Sequence, residues 1–147
     1  EMCIRDRLRP QAASTRLLEA PEPLTEIWGY GGMTPGPLLE AVQGQPFAAD
    51  LVNVLTGPTT IHWHGIRNAN SMDGVAYLTQ EPVLPNETFA YRFTPPDAGT
   101  YWYHPHNRTW EQMARGLYGM LICPSSYSLR HRDALASGGS GSSIGLI

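Results

Sequence analysis

Four of the five histidines in this 147-residue chain form two His-x-His pairs, His62-Trp63-His64 and His104-Pro105-His106, each inside an aromatic, strand-like stretch with little charge. Residues i and i+2 of a β-strand share a face, with Cα atoms roughly 6.6 Å apart, so each pair aims two imidazoles at one place. If the two stretches are adjacent strands, four imidazoles face a common cavity. Uncharged surroundings would not offset buried imidazolium, so neutral rings binding a cation account for the layout better than four charged ones. A lone strand histidine is usually a core or surface residue with its hydrogen bonds met; two pairs in a chain otherwise poor in histidine point to metal. Which metal stays open at this stage. Imidazole suits zinc, copper, iron and nickel, and the affinity order favours copper over zinc. A His-x-His with one further histidine can hold a single zinc and its activated water, a hydrolase or hydratase layout. The two histidines of a pair can equally serve two different ions.

Strands must carry these pairs, and the rest of the sequence supplies them. Between residues 16 and 123, turn formers recur about every 8 to 12 residues while no stretch holds a period of 3.6 for several turns. Strands are predicted at 24–30, 37–42, 47–55, 59–64, 87–94, 100–104 and 117–123, with a short helical turn at 111–114. The clearest alternation is at 87–94, where Phe89, Tyr91 and Phe93 share one face and Thr88, Ala90, Arg92 and Thr94 the other. Seven or so short strands suggest an all-β Greek-key sandwich. In that frame Trp63 faces away from its histidine neighbours and packs the core. Pro105 stiffens the backbone between two ligands, and Gly65 permits a bend or a close approach after the first pair.

The ends read differently. Residues 1–9, EMCIRDRLR, carry no strand or helix period, and residues 1–15 are expected to be a non-native or disordered leader. One domain is expected over 16–124, followed by a flexible or truncated tail over 125–147 that includes the coil-like ASGGSGSS at 136–143. His131, between Arg130 and Arg132, reads as solvated. Cys3 and Cys123 have no Cys-x-x-Cys partner or flanking histidine, and Cys123 reads as a small buried strand residue. The net charge of −3, with no basic cluster beyond Arg5, Arg7 and Arg9, indicates neither nucleic acid nor an anionic membrane as partner. No apolar run approaches the roughly 18 residues of a transmembrane helix.

The flanks of the two pairs narrow the choice. His-Trp-His-Gly at 62–65, Gly-Thr-Tyr-Trp-Tyr-His-Pro-His at 99–106 and Gly-Leu-Tyr-Gly at 116–119, preceded by TEIWGYGGMTPGP at 25–37, resemble the N-terminal cupredoxin domain of a multicopper oxidase of the laccase-like family. The resemblance covers about residues 16–124. It implies a trinuclear copper site built across two domains, with half its histidines here. His62 matches the type 2 ligand, His64 and His104 match ligands of one type 3 copper, and His106 matches a ligand of the other. Asp73, in Met72-Asp73-Gly74, matches an acidic residue that relays protons, a catalytic role, with a simple Asp-Gly turn as the alternative. Arg67, Trp102 and Glu111 are left as structural.

The same resemblance implies dioxygen and a small reductant, a phenol or a metal ion, as reaction partners, and a periplasmic or extracellular location. It also implies a downstream cupredoxin domain or a neighbouring subunit that completes the cluster. The family's His-Cys-His segment, which builds the type 1 copper, is not in this sequence, so the chain is expected to be a truncated piece without turnover of its own. The alternatives are a copper-binding or scaffold module of the same fold and, further off, a zinc enzyme.

Overall fold

The computed structural model describes residues 5–127, so Cys3, His131 and the glycine-serine stretch, with the expectations attached to them, lie outside the described residues. Among the described residues nine strands make up the frame: β1 (Arg5–Leu8), β2 (Pro10–Thr15), β3 (Thr25–Tyr30), β4 (Leu39–Glu40), β5 (Phe47–Val52), β6 (His62–His64), β7 (Thr88–Phe93), β8 (Gly99–His104) and β9 (Gly119–Cys123). A one-turn helix, α1 (Thr109–Gln112), lies between β8 and β9. Among the described residues no helix is long and apolar enough to cross a membrane.

The strands form three hydrogen-bonded sheets, ordered β1-β5-β7, β2-β3 and β4-β9-β8-β6. Neighbours pair antiparallel except β1 with β5 and β4 with β9, which run parallel. The all-β arrangement of packed sheets expected from the sequence is what the chain adopts. Alternation along β7 is as expected: Tyr91 and Phe93 are buried and Phe89 is half-buried, whereas Thr88, Ala90 and Arg92 are exposed. Trp63 is the centre of the packing between sheets. Its ring, fully buried, meets Phe47, Tyr91 and Phe93 of the β1-β5-β7 sheet edge-on at centroid distances of 5.4, 5.4 and 5.2 Å. Such tilted contacts are the favoured aromatic geometry and add to the area removed from water. Cys123 is buried in the same core, as its apolar setting suggests.

Residues 5–15 are not disordered, contrary to one reading of the leader. Residues 5–15 are two strands: β1 pairs with β5 from Arg5 opposite Ala48 to Leu8 opposite Leu51, and β2 pairs with all six residues of β3. Leu8 is 1% exposed and belongs to the core. Strands at a sheet edge need main-chain hydrogen bonds and only one or two buried side chains, so their composition can stay polar. Leu8 and Pro10 are the buried positions here, set among exposed Arg7 and Arg9.

Several strands are shorter than expected, β5 ending at Val52 and β9 beginning at Gly119, and two differ most. The stretch predicted at 37–42 is regular only over Leu39–Glu40, although flanking main-chain bonds from Gly36 to Tyr118 and from Ala41 to Ile122 keep it alongside β9. Residues 59–61 precede β6 in an irregular conformation, and Thr59 bridges to Val83.

Candidate metal centre

Register sets which side chains meet. In the β6/β8 ladder His62 lies opposite His104, Trp63 opposite Tyr103 and His64 opposite Trp102. The two-residue period sends Trp63 and Tyr103 into the core and leaves His62, His64, Trp102 and His104 together on the other face. Residues opposed across antiparallel strands have Cβ atoms about 4.5–5.5 Å apart, so the ladder alone brings imidazoles from distant sequence positions into contact.

The ligand atoms of His62, His64 and His104 all lie within 4.8 Å of one another. Nδ1 of His64 is 3.2 Å from Nε2 of His104. Two nitrogens held at about 2.0–2.1 Å from one ion are at most roughly 4.2 Å apart, so this pair fits a single cation. The 4.8 Å span to His62 admits a third ligand of that ion or a ligand of a neighbouring one. His106, two residues past His104, is exposed; its ring centroid is 5.4 Å from that of His62 and 6.3 Å from that of His104. Thus three of the four expected ligands form one nitrogen cluster and the fourth ring stands at its margin.

Main-chain acceptors orient two of the rings. Nδ1–H of His62 donates to the Asp73 carbonyl at 2.7 Å, and Nδ1–H of His104 donates to the Pro105 carbonyl at 2.8 Å. Each bond fixes the tautomer and leaves Nε2 as the lone-pair nitrogen. With Nε2 of His104 an acceptor, Nδ1–H of His64 donates to it, and a cation entering between them replaces that proton. His104 is buried, and desolvation, reinforced by the neighbouring imidazoles, pushes its pKa down to about 4. At neutral pH the innermost ring is therefore an uncharged donor, the form a metal requires. Clustered imidazole nitrogens around an uncharged His104 fit copper.

Asp73 reaches the cluster through a short loop. A 3₁₀ turn over Asn70–Met72 ends at Asp73, whose N–H bonds back to the Asn70 carbonyl, and Gly74 follows at φ +76°. A Cβ on Gly74 would collide with the Ile61 carbonyl next to β6, so only glycine lets the loop lie this close. The Asp73 carboxylate Oδ1 is 3.5 Å from His62 Nδ1, which places it beside the ring that its own carbonyl already holds. The Asp-Gly turn and the acidic neighbour are therefore the same feature.

Polar side chains secure the other border. Thr60, fully buried, accepts the His106 N–H at 3.0 Å. Asn107 and Gln112 both donate to the Pro58 carbonyl, at 2.8 and 2.9 Å, and Thr59 donates to Gln112 Oε1, which ties α1 and the end of β8 to the approach to β6. Arg67 is paired to Asp97, and Glu111 lies between Arg108 and Arg115. The sequence reading missed the Asp73 and Pro105 carbonyls and Thr60. Main-chain acceptors have no side-chain signature; only their loop neighbours, Gly74 and Pro105 itself, signal them.

Comparison with known proteins agrees with this geometry. A family described as multicopper oxidase matches residues 12–127. The chain is 38% identical over 127 residues to Multicopper oxidase MmcO of Mycobacterium tuberculosis, covering 86% of this chain and 24% of that protein. It is 44% identical over 100 residues to Laccase-5 of Trametes versicolor, covering 63% and 19% respectively. Among solved structures it is similar to Lac15 from a marine microbial metagenome, with 45% identity and a TM-score of 0.77 over 82% of this chain and 32% of that one. The chain thus spans about a quarter or less of the length of these curated relatives.

Proposed function

The chain belongs to the multicopper oxidase family as its N-terminal cupredoxin domain, and from that premise we propose that His62, His64, His104 and His106 supply half the ligands of a trinuclear copper site. In this reading His62 serves a type 2 copper, His64 and His104 one type 3 copper, and His106 the other. A further cupredoxin domain, in the same polypeptide or in a neighbouring subunit, supplies the remaining ligands and the type 1 copper. The observation that carries the reading is the convergence of three ring nitrogens from β6 and β8 within 4.8 Å. His64, exposed within the cluster, and His106, exposed at its margin, suit ligands of ions shared with a partner.

Bound copper would supply one-electron redox chemistry: dioxygen is reduced to water while a small reductant such as a phenol or a metal ion is oxidised. This chain's own residues do the orienting. The Asp73 and Pro105 carbonyls hold His62 and His104 with Nε2 presented outward. Trp63 and Tyr103 close the inner side of the sheet to water. The Asp73 carboxylate, half-buried beside His62, can hold a proton at Oδ1 and release it toward the site, the catalytic role proposed for it. We place the working protein in the periplasm or outside the cell.

Copper titration of the purified chain, with metal analysis and electron paramagnetic resonance, tests the reading. Uptake of copper with a nitrogen-ligated type 2-like signal that disappears in His64→Ala/His104→Ala supports it; stoichiometric zinc with no copper uptake overturns it. By itself the chain should consume no oxygen with a phenolic reductant, because this sequence contains no His-Cys-His segment to build a type 1 copper, and steady turnover would contradict the division of labour between domains.

A further inference from the structure

We infer that Trp102, which the sequence presents as one more strand aromatic, is the positioning residue that holds the His64 imidazole in its ligating orientation. The inference rests on the copper reading above and adds a role to a residue outside the ligand set. His62 and His104 each have a carbonyl that fixes the ring. His64 has none among the described residues: its hydrogen-bonding partner is His104. It is also exposed, and β6 is the edge strand of its sheet, so neither burial nor a second neighbouring strand restrains it.

Trp102 supplies the missing restraint by packing. It lies opposite His64 in the β6/β8 register and two residues before His104 on the same strand, so its indole sits beside both rings on one face. Centroid distances are 4.8 Å to His64 and 4.2 Å to His104, with interplanar angles of 31° and 32°, closer to parallel than the edge-on packing around Trp63. Such offset, face-leaning contact has two consequences. It blocks rotation of the His64 ring toward solvent, and it favours imidazoles that become electropositive on binding a cation, because the indole face is negative. The indole is half-buried and also lines an apolar hollow of about 310 Å³ with Pro35, Tyr101, Tyr118 and Met120, so it is not a keystone of the core.

The test compares wild type, Trp102→Leu and Trp102→Phe on the whole chain by two readouts. The first is the His64 side-chain rotamer distribution in the metal-free chain, measured by nuclear magnetic resonance. A single rotamer is expected in wild type and W102F, and averaging in W102L. An unchanged rotamer distribution in W102L overturns the inference. The second is Cu(II) affinity, which should fall about 10-fold in W102L, as for loss of a residue that orients a ligand, and return most of the way in W102F. Should circular dichroism show W102L unfolded, W102T takes its place, a β-branched residue suited to a part-exposed strand. Wild-type chain that takes up no copper sinks the copper reading, and the rotamer comparison then decides the role of Trp102 alone.

Discussion

At the scale of single residues, the site separates donors from the groups that aim them. His64 and His104 are hydrogen-bonded to each other through ring nitrogens 3.2 Å apart. Replacing either with alanine should weaken Cu(II) binding by more than the 10- to 100-fold typical for loss of an orienting partner, measured by competition titration. Asp73 behaves differently because its carbonyl, not its carboxylate, makes the 2.7 Å bond to His62. Asp73→Asn should therefore leave copper affinity within roughly threefold of wild type, well inside the orienting-partner effect; a larger loss would show that the carboxylate holds the ring. Thr60→Val removes the acceptor of the part-buried His106 N–H and should cost about 1 kcal/mol in chemical denaturation, with Thr60→Ser near neutral. The histidine pairs were legible in the sequence because a two-residue period needs no knowledge of the rest of the fold. Trp102 was not, since a strand aromatic looks the same whether it faces core or ligand, and only register puts it against His64.

Elements explain what the sequence left out. The polar strand β1 was hidden by its arginines, yet Leu8 fills the core from it. Leu8→Ala should cost about 2–5 kcal/mol, read as a lower denaturation midpoint; no change would mean that β1 is dispensable. The loop carrying Asp73 is the second such element. Gly74→Ala forces both a left-handed backbone and a collision with Ile61, and strain of that kind costs on the order of 1–3 kcal/mol. Copper affinity should fall with it, because the Asp73 carbonyl moves off His62. Gly57→Ala, with open space around its Cβ, is the matched control and should be silent. The long alternating strand β7 and the inward Trp63 were readable as sequence patterns; β4 was overestimated because Pro37 and the exposed Leu38 lie outside its two-residue ladder.

For the molecule as a whole, one sheet face carries the chemistry while the other makes the core, and protonation links the two. His104 has a folded pKa near 4 against 6.5 for an unperturbed histidine. Between those values the unfolded chain binds a proton that the folded chain refuses, so stability of the metal-free protein is full above about pH 6.5 and falls as pH drops toward 4. Copper, which needs the neutral ring, should bind more weakly over the same window. Thermal unfolding followed from pH 7 to 4 checks the first point, and His104→Gln should flatten the slope. The fold and the ligand strands could be anticipated from period and flanking motifs; the number of nitrogens that meet at one point could not, because it depends on the pairing of β6 with β8 and on how far His106 turns beyond Pro105. The most direct test is anomalous diffraction at the copper edge from crystals of the copper-loaded chain. The account predicts a copper peak about 2.0–2.2 Å from His64 Nδ1 and His104 Nε2, with His62 Nε2 turned toward the same cluster. Copper bound elsewhere, or these rings directed to different surfaces, would contradict it.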